Sequence, residues 1–206
     1  MSNKKAYHHG DLRQALLQAA LMMVEESGLE ALSIRKIAAR VGVSHAAPEH
    51  HFPSMRHLMT AMAGEGFQIF THSMIEERQK SPAVPVEQMR AATRGYLGYA
   101  RAHPALFRLM FTAGLLDWED AALVEKARAA YEQLREICAP AADSRGLTTA
   151  AERTALEHLV WSQIHGQAHL MIDQKLPDPA GTDCLSLPAP VDIAAIVFHD
   201  WPRHPL

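Results

Sequence analysis

Cysteine is scarce in this chain, and the motifs that mark most chemistries are missing. Cys138 and Cys184 are the only two cysteines in 206 residues. They are too few for a secreted disulfide framework, and neither belongs to a C-x-x-C of the kind that holds zinc. No apolar run approaches the roughly 20 residues that a membrane span needs. The opening "MSNKKAYHHGDLRQ" has two lysines with no apolar stretch behind them, so it does not read as a secretion signal. These absences point to a reducing cytoplasm and to no membrane partner. Strand patterning is lacking too, because the β-branched residues are scattered and never alternate over a useful length. There is no G-x-S-x-G, P-loop or dinucleotide fingerprint, and the histidines and carboxylates converge on no recognisable catalytic spacing. The chain is therefore expected not to be an enzyme and to carry no cofactor.

What is present is ordinary in bulk and uneven in distribution. Hydrophobic residues make up 48% and charged residues 21%, which suits a globular protein with one sizeable core or two small ones. The net charge of −3 hides an asymmetry. Residues 1–60 carry 7 Lys/Arg against 5 Asp/Glu, and residues 61–206 carry 13 against 18. Six of the 13 histidines also fall in the first 60 residues, where partial protonation adds positive charge. The N-terminal quarter is thus the part suited to a polyanion.

Helical spacing runs through the chain. Leu12, Leu16, Ala19 and Met23 line one face of a first helix, stopped by Gly28. Ser33 caps a short helix that turns Ile34, Ile37, Ala38 and Val41 inward, and Gly42 makes the turn after it. Ser44 is expected to cap a third helix ending at "FPS" (52–54), and Ser54 to cap a long fourth through Leu58, Met62, Phe67 and Phe70. "SPAVP" (81–85) is a proline-rich break. Further helices are predicted over 86–102, 104–115, 118–138 and 148–174. A polar Pro/Gly-rich loop at 175–190, a short helix at 191–200 and a non-helical tail "WPRHPL" complete the reading. The fold class is all-α: residues 1–53 a helix-turn-helix domain, 54–80 a connecting helix, 81–206 a helical ligand-binding and dimerisation domain.

A capped eight-residue helix, a glycine turn and a very short helix make the helix-turn-helix arrangement, whose second helix enters the major groove N-terminus first. Small residues there let the backbone approach the bases. Ala46 and Ala47 suit thymine methyls, and Ser44 and His45 suit base edges or phosphates. The helix starts near Ser33 and Ser44 present N–H groups to phosphate oxygens. Pro48 lies where the loss of one N–H costs little. A small helical bundle without DNA binding also contains such helices.

The stretch "LSIRKIAARVGVSHAAPEHHFPSMRHLMTAM" (32–62) resembles the N-terminal signature of the TetR family of transcriptional repressors, and "YHHGDLRQALLQAALMMVEESG" (7–28) is similar to that family's first helix. "WSQIHG" (161–166) resembles the W-x-x-x-H-G element of a subgroup of such regulators. The resemblance implies a cytoplasmic homodimer that binds a palindromic double-stranded DNA operator and is released when a small-molecule effector enters the C-terminal domain. On that reading Ser33, Arg35, Lys36, Ser44, His45, Ala46, Ala47, Glu49, His50 and Arg56 lie at the DNA. Two positions depart from the family. Where Glu49 stands the family usually has an aromatic residue, mostly a tyrosine whose hydroxyl bonds a phosphate. A lysine common nearby is replaced by Met55, with Arg56 beside it. An anion near phosphate costs about 1–3 kcal/mol per half-site. Glu49 is then neutralised by Arg56, His50 or His51, or is a substitution that impairs DNA binding, or marks drift to a different operator. A helical adaptor or small-molecule-binding protein acting without DNA is the alternative that Glu49 favours.

In the C-terminal part, the helix at 148–174 carries two apolar stripes, Leu156, Leu159, Val160, Ile164, Leu170 and Met171, and His158, Trp161, His165 and Ile172. Burial on two sides fits a core face and a partner face, and Ile193, Ile196 and Val197 complete a four-helix dimer interface. Phe67, Phe70, Met74, Tyr96, Phe107, Met110, Phe111, Trp161 and His165 are the candidate effector-binding residues, although core packing asks for the same types. His165 and His169 stand four apart, the spacing of a shared metal ion, but with no H-E-x-x-H and no cysteine nearby no metal is expected.

Overall fold

The structure, a computed structural model, describes residues 9–173 and 192–199. The loop expected over 175–190 and the tail after residue 200 lie outside them. All described regular structure is helical: α1 (His9–Ser27), α2 (Ile34–Val41), α3 (Met55–Gln79), α4 (Pro85–Ala102), α5 (Pro104–Met110), α6 (Ala121–Ser144), α7 (Ala150–Ile172) and α8 (Ile193–Phe198). Single 3-10 turns occur at Leu29–Ala31, Ala47–His50 and Ala113–Leu115. Contacts gather the chain into two compact units, Met1–Phe67 with Ala105–Ala127, and Gln68–Pro104 with Arg128–Leu206. Packing thus groups residues 105–127 with the N-terminal segment, across the boundary at 81 read from the sequence.

In the first unit, α1 buries Leu16, Leu17, Ala20 and Val24, the recurrence of an amphipathic helix. It packs on α2, which buries Ile37 and Ala38 and leaves Ile34 and Val41 half-buried. Gly42 ends α2 at φ 77, a left-handed conformation natural to glycine. The Val43 N–H then reaches back to Ala38 O at 3.0 Å, which closes the helix end and starts the turn. Phe52 and Leu58 are buried at 2% exposure, each worth about 1.5–3 kcal/mol in transfer from water. Residues 105–127 are fastened to α3 by polar contacts as well as apolar ones. Arg56 Nη2 donates to Leu116 O at 2.7 Å, and the buried Thr60 Oγ1 accepts from Asp117 N at 2.9 Å. Lys126 Nζ meets Glu65 Oε1 at 2.6 Å.

The second unit packs α4 on α7 and α8. Gly95 of α4 allows its helix to meet α3 backbone to backbone: a Cβ there would lie 2.5 Å from Ser73 O and 2.7 Å from Met74 Cα. The helix α6 runs through Pro140 to Ser144 instead of stopping at 138, since a single lost N–H is not enough to end it. It stops at Gly146, φ 67, with Leu147 N donating to Ala142 O at 2.9 Å. The helix α7 begins with a capping box between Thr149 and Glu152. Its core face is Leu156, Val160, Ile164, Ala168 and Met171. Leu159 and Leu170 of the expected stripe are exposed at 58% and 43%, and Ile196 of α8 at 47%. The six-residue α8 is clamped at both ends. Arg90 of α4 pairs with its N-cap Asp192 at 2.6 Å, and Arg145 Nη2 donates to Val197 O at 2.6 Å. The expected helix over 104–115 ends at Met110 and resumes as the 3-10 turn Ala113–Leu115.

Candidate nucleic-acid interface and effector site

The surface before and after Gly42 is built from both ends of α2. Ser33 stands outside the helix at φ −151, ψ 146, and its side chain accepts from Lys36 N at 3.2 Å. Arg35 and Lys36 are exposed in the first turn, with Lys36 Nζ resting on Ala31 O at 3.1 Å. At the other end Arg40 forks onto Glu26, with bonds of 2.6 and 2.5 Å, and its guanidinium holds that carboxyl below the usual carboxylate range.

Beyond the turn the expected third α-helix is a single 3-10 turn, Ala47–His50. Its N-cap is Ala46, with no side-chain cap bond, so Ser44 does not cap it. Ser44 contributes only its carbonyl, which accepts from Ala47 N at 3.1 Å. A proline in the first turn and five polar or small residues give too short a segment to close an α-helical hydrogen-bond ladder. Pro48 is buried and shares an apolar recess with Leu16, Ile34, Ile37, Phe52 and Leu58. Ser44, His45, Ala46, Glu49 and His50 are exposed, and Ala47 is half-buried. Six of the ten expected DNA residues thus fall on one short segment beside α2. Arg56 is exposed but committed to Leu116 O. Arg13, which the sequence reading passed over, lies over the Phe52 ring at 5.0 Å. It braces the same segment from α1.

The candidate effector residues fall into two groups. In the first unit Phe67 meets Phe111 at 5.6 Å and Trp118 at 6.3 Å, and Phe107 meets Phe111 at 5.0 Å. Met110 is fully buried there. In the second unit Phe70 packs edge-on to Tyr96 at 4.7 Å and to Tyr99 at 5.3 Å, above the buried Met74. The Tyr96 hydroxyl and His165 Nδ1 hydrogen-bond at 2.7 Å. Trp161 then stands between His165, 6.1 Å away, and Tyr131, 6.3 Å away. Tyr131 donates to the buried Glu157 at 2.7 Å.

Burial sets the protonation of this second group. It raises the Tyr96 phenol well above the usual range, a Trp161 hydrogen bond partly offsetting it. It pushes the His165 imidazole down to about 4, helped by neighbouring His169. The Tyr131 phenol goes up to about 12, by burial first and then by its bond to Glu157. Near neutral pH the group therefore holds two neutral phenols and a neutral imidazole. Tyr99, Tyr131 and Glu157 were not singled out from the sequence. Glu157 had one signal, a carboxylate set among the apolar residues of α7. His165 and His169 meet edge-on at 4.6 Å. Among the described residues no group of three or more His, Cys, Asp or Glu is placed to hold a metal ion, and no described helix is long and apolar enough to cross a membrane.

Comparison with known proteins gives two family matches. The model for bacterial regulatory proteins of the tetR family covers residues 16–62, and that for the tetracyclin repressor-like C-terminal domain covers residues 89–186. The nucleoid occlusion factor SlmA of Sodalis glossinidius (strain morsitans) is 32% identical over 132 residues, 61% of this chain and 65% of that protein. The chain thus spans just under two thirds of that relative. A protein of unknown function from Rhodococcus sp. RHA1 superposes with a TM-score of 0.72 at 26% identity, covering 94% of both chains. The TetR family transcriptional regulator PfmR from Thermus thermophilus shares the fold, with a TM-score of 0.56 at 20% identity over 75% of this chain and 84% of that one.

Proposed function

Because the chain belongs to the TetR family of bacterial regulatory proteins, we propose that it is a ligand-responsive transcriptional repressor that binds a palindromic operator as a homodimer. The observation that carries this reading is the exposed segment from Ser44 to His50, held out by buried Pro48 and Phe52 beside the capped start of α2. Two copies place these segments in successive major grooves, about 34 Å apart. Ser33, Arg35 and Lys36 face phosphates, Ser44, His45, Ala46 and Ala47 face base edges, and Arg56 positions the loop at Leu116.

The exposed Leu159, Leu170 and Ile196 support an isologous interface of α7 and α8. Gly166 has no atom within 4 Å of where its Cβ would be, leaving room for the partner helix. The neutral cluster of Phe70, Tyr96, Trp161 and His165 supports an effector with an apolar body and a hydrogen-bonding group. Within it, Trp161 and His165 of the W-x-x-x-H-G element support the subgroup reading. The helix α3 carries both Leu58 and Met62 of one unit and Phe70 and Met74 of the other. Effector binding at Phe70 thereby acts on a helix that also supports the reading segment.

Selection of genomic fragments on the purified protein, then footprinting in a salt titration, tests the reading. A two-fold symmetric protected site whose affinity falls steeply with salt is expected. Binding that is equal on all sequences, or absent, overturns it. The relatives named nucleoid occlusion factors favour a second reading, in which the bound protein serves nucleoid occlusion. Protected sites spread over the chromosome away from promoters would select that reading.

A further inference from the structure

We propose that Glu49 is a base-reading residue, accepting a hydrogen bond from the amino group of a cytosine in each half-site. This rests on the DNA-binding reading above and gives it a determinant of sequence choice. The argument starts from the local geometry. Glu49 N donates to Ala46 O at 3.3 Å, and His51 N to Pro48 O at 2.9 Å, the i to i+3 pattern of a 3-10 turn. Side chains three apart in such a turn eclipse one another, so Glu49 stands directly over Ala46. Pro48 and Phe52 are buried, whereas Ala46 and Glu49 are both exposed. Ala46 is a methyl group only. Of these two exposed side chains only the carboxylate reaches beyond its Cβ, so on the DNA-binding reading it is the group that extends from this edge toward the base pairs.

The second step is electrostatic. The donor groups of three nearby-sequence cations are placed elsewhere: Arg40 on Glu26, Arg56 on Leu116 O and Lys36 on Ala31 O. Among the described residues no hydrogen bond or ion pair holds the Glu49 carboxylate. A carboxylate brought to a duplex in that state loses water and meets either phosphate, which repels it, or a base-edge donor. The major groove offers amino donors only on cytosine N4 and adenine N6, and cytosine N4 is the one that carboxylates accept from. Thymine or guanine at that position presents a carbonyl oxygen instead, leaving the carboxylate desolvated and unpaired. The charge that would weaken contact with a phosphate becomes a means of rejecting the wrong base.

The test is selection from random duplex DNA by the full-length protein and by its E49Q and E49A variants, followed by titrations on the enriched site at several salt concentrations. Residue 49 is exposed, and matching thermal midpoints would show that the variants fold alike. The parent should enrich a motif with one symmetry-related cytosine per half-site. Replacing it by thymine should weaken binding about tenfold per half-site. In E49A that discrimination should vanish, the other positions should keep their preferences, and the salt slope should stay unchanged. If E49A instead binds every sequence more tightly by a common factor, with all base preferences intact, Glu49 faces phosphate and the inference is wrong. A preference for another base at the affected position also overturns it. Failure of the parent to enrich any sequence removes the proposed function itself, and this inference with it.

Discussion

The Tyr96 hydroxyl and His165 Nδ1, 2.7 Å apart, join α4 to α7 through two groups that burial keeps uncharged. The sign of the resulting pH dependence follows from the direction of the histidine shift. His165 lies at about 4 in the folded chain against 6.5 for the free side chain, so the unfolded chain binds the extra proton between those values. Stability is fully present above about pH 6.5 and is lost as pH falls toward about 4. Urea midpoints measured between pH 4.5 and 7.5 should show this fall, and His165→Asn should flatten it. Tyr96→Phe, at pH 7.5, should cost about 0.5–1.5 kcal/mol.

Gly95 and Gly98 lie on the same helix and should respond oppositely to alanine. At Gly95 the new methyl would meet the backbone of Ser73 and Met74, whereas at Gly98 nothing lies within 4 Å. Gly98→Ala should stabilise by up to about 1 kcal/mol through helix propensity. Gly95→Ala should destabilise by about 1–3 kcal/mol, since overpacking exceeds that gain. Thermal and urea melts of the two variants check both signs.

Thr60→Val keeps the shape of a buried side chain and removes the acceptor of the Asp117 N–H. The orphaned donor should cost about 1–3 kcal/mol. Amide exchange at Asp117 should quicken more than that of the α1 core, which locates the loss in the loop. Equal acceleration in both places would show that Thr60 acts on the whole unit instead.

Leu159→Lys should leave the protomer folded, because Leu159 is 58% exposed, and should shift sedimentation from dimer to monomer at micromolar concentration. Its operator affinity should fall with the loss of the paired half-site. A dimer that persists unchanged places the interface away from α7.

The front of the molecule was legible because its signals are local. Ser33, Gly28 and Gly42 mark helix ends through their own backbone preferences, and Leu16 and Ile37 sit in phase with their helices. The segment after Gly42 has a different geometry from the one expected, since Ser44 looks like a cap until Pro48 and the shortness of the turn are weighed. The packing of residues 105–127 with the N-terminal segment was not legible, for a different reason. Their attachment runs through Arg56, Thr60 and Glu65, about 60 positions away, and such pairings leave no periodic trace. On α7 apolar residues occur all round, so spacing did not show that Leu159 faces out while Val160 faces in. The effector candidates were chosen by residue type. That choice included Tyr96 and His165 but not Glu157, whose hydrogen bond depends on Tyr131 arriving from α6.

The interleaving of the units also constrains how such a regulator can be recombined. A fragment ending after α3 would keep every residue proposed to face DNA yet lose Leu116, Asp117 and Lys126, and with them the ring partners of Phe67. Grafting a new sensor onto this reading head therefore requires several splice points, with the 105–127 insert retained.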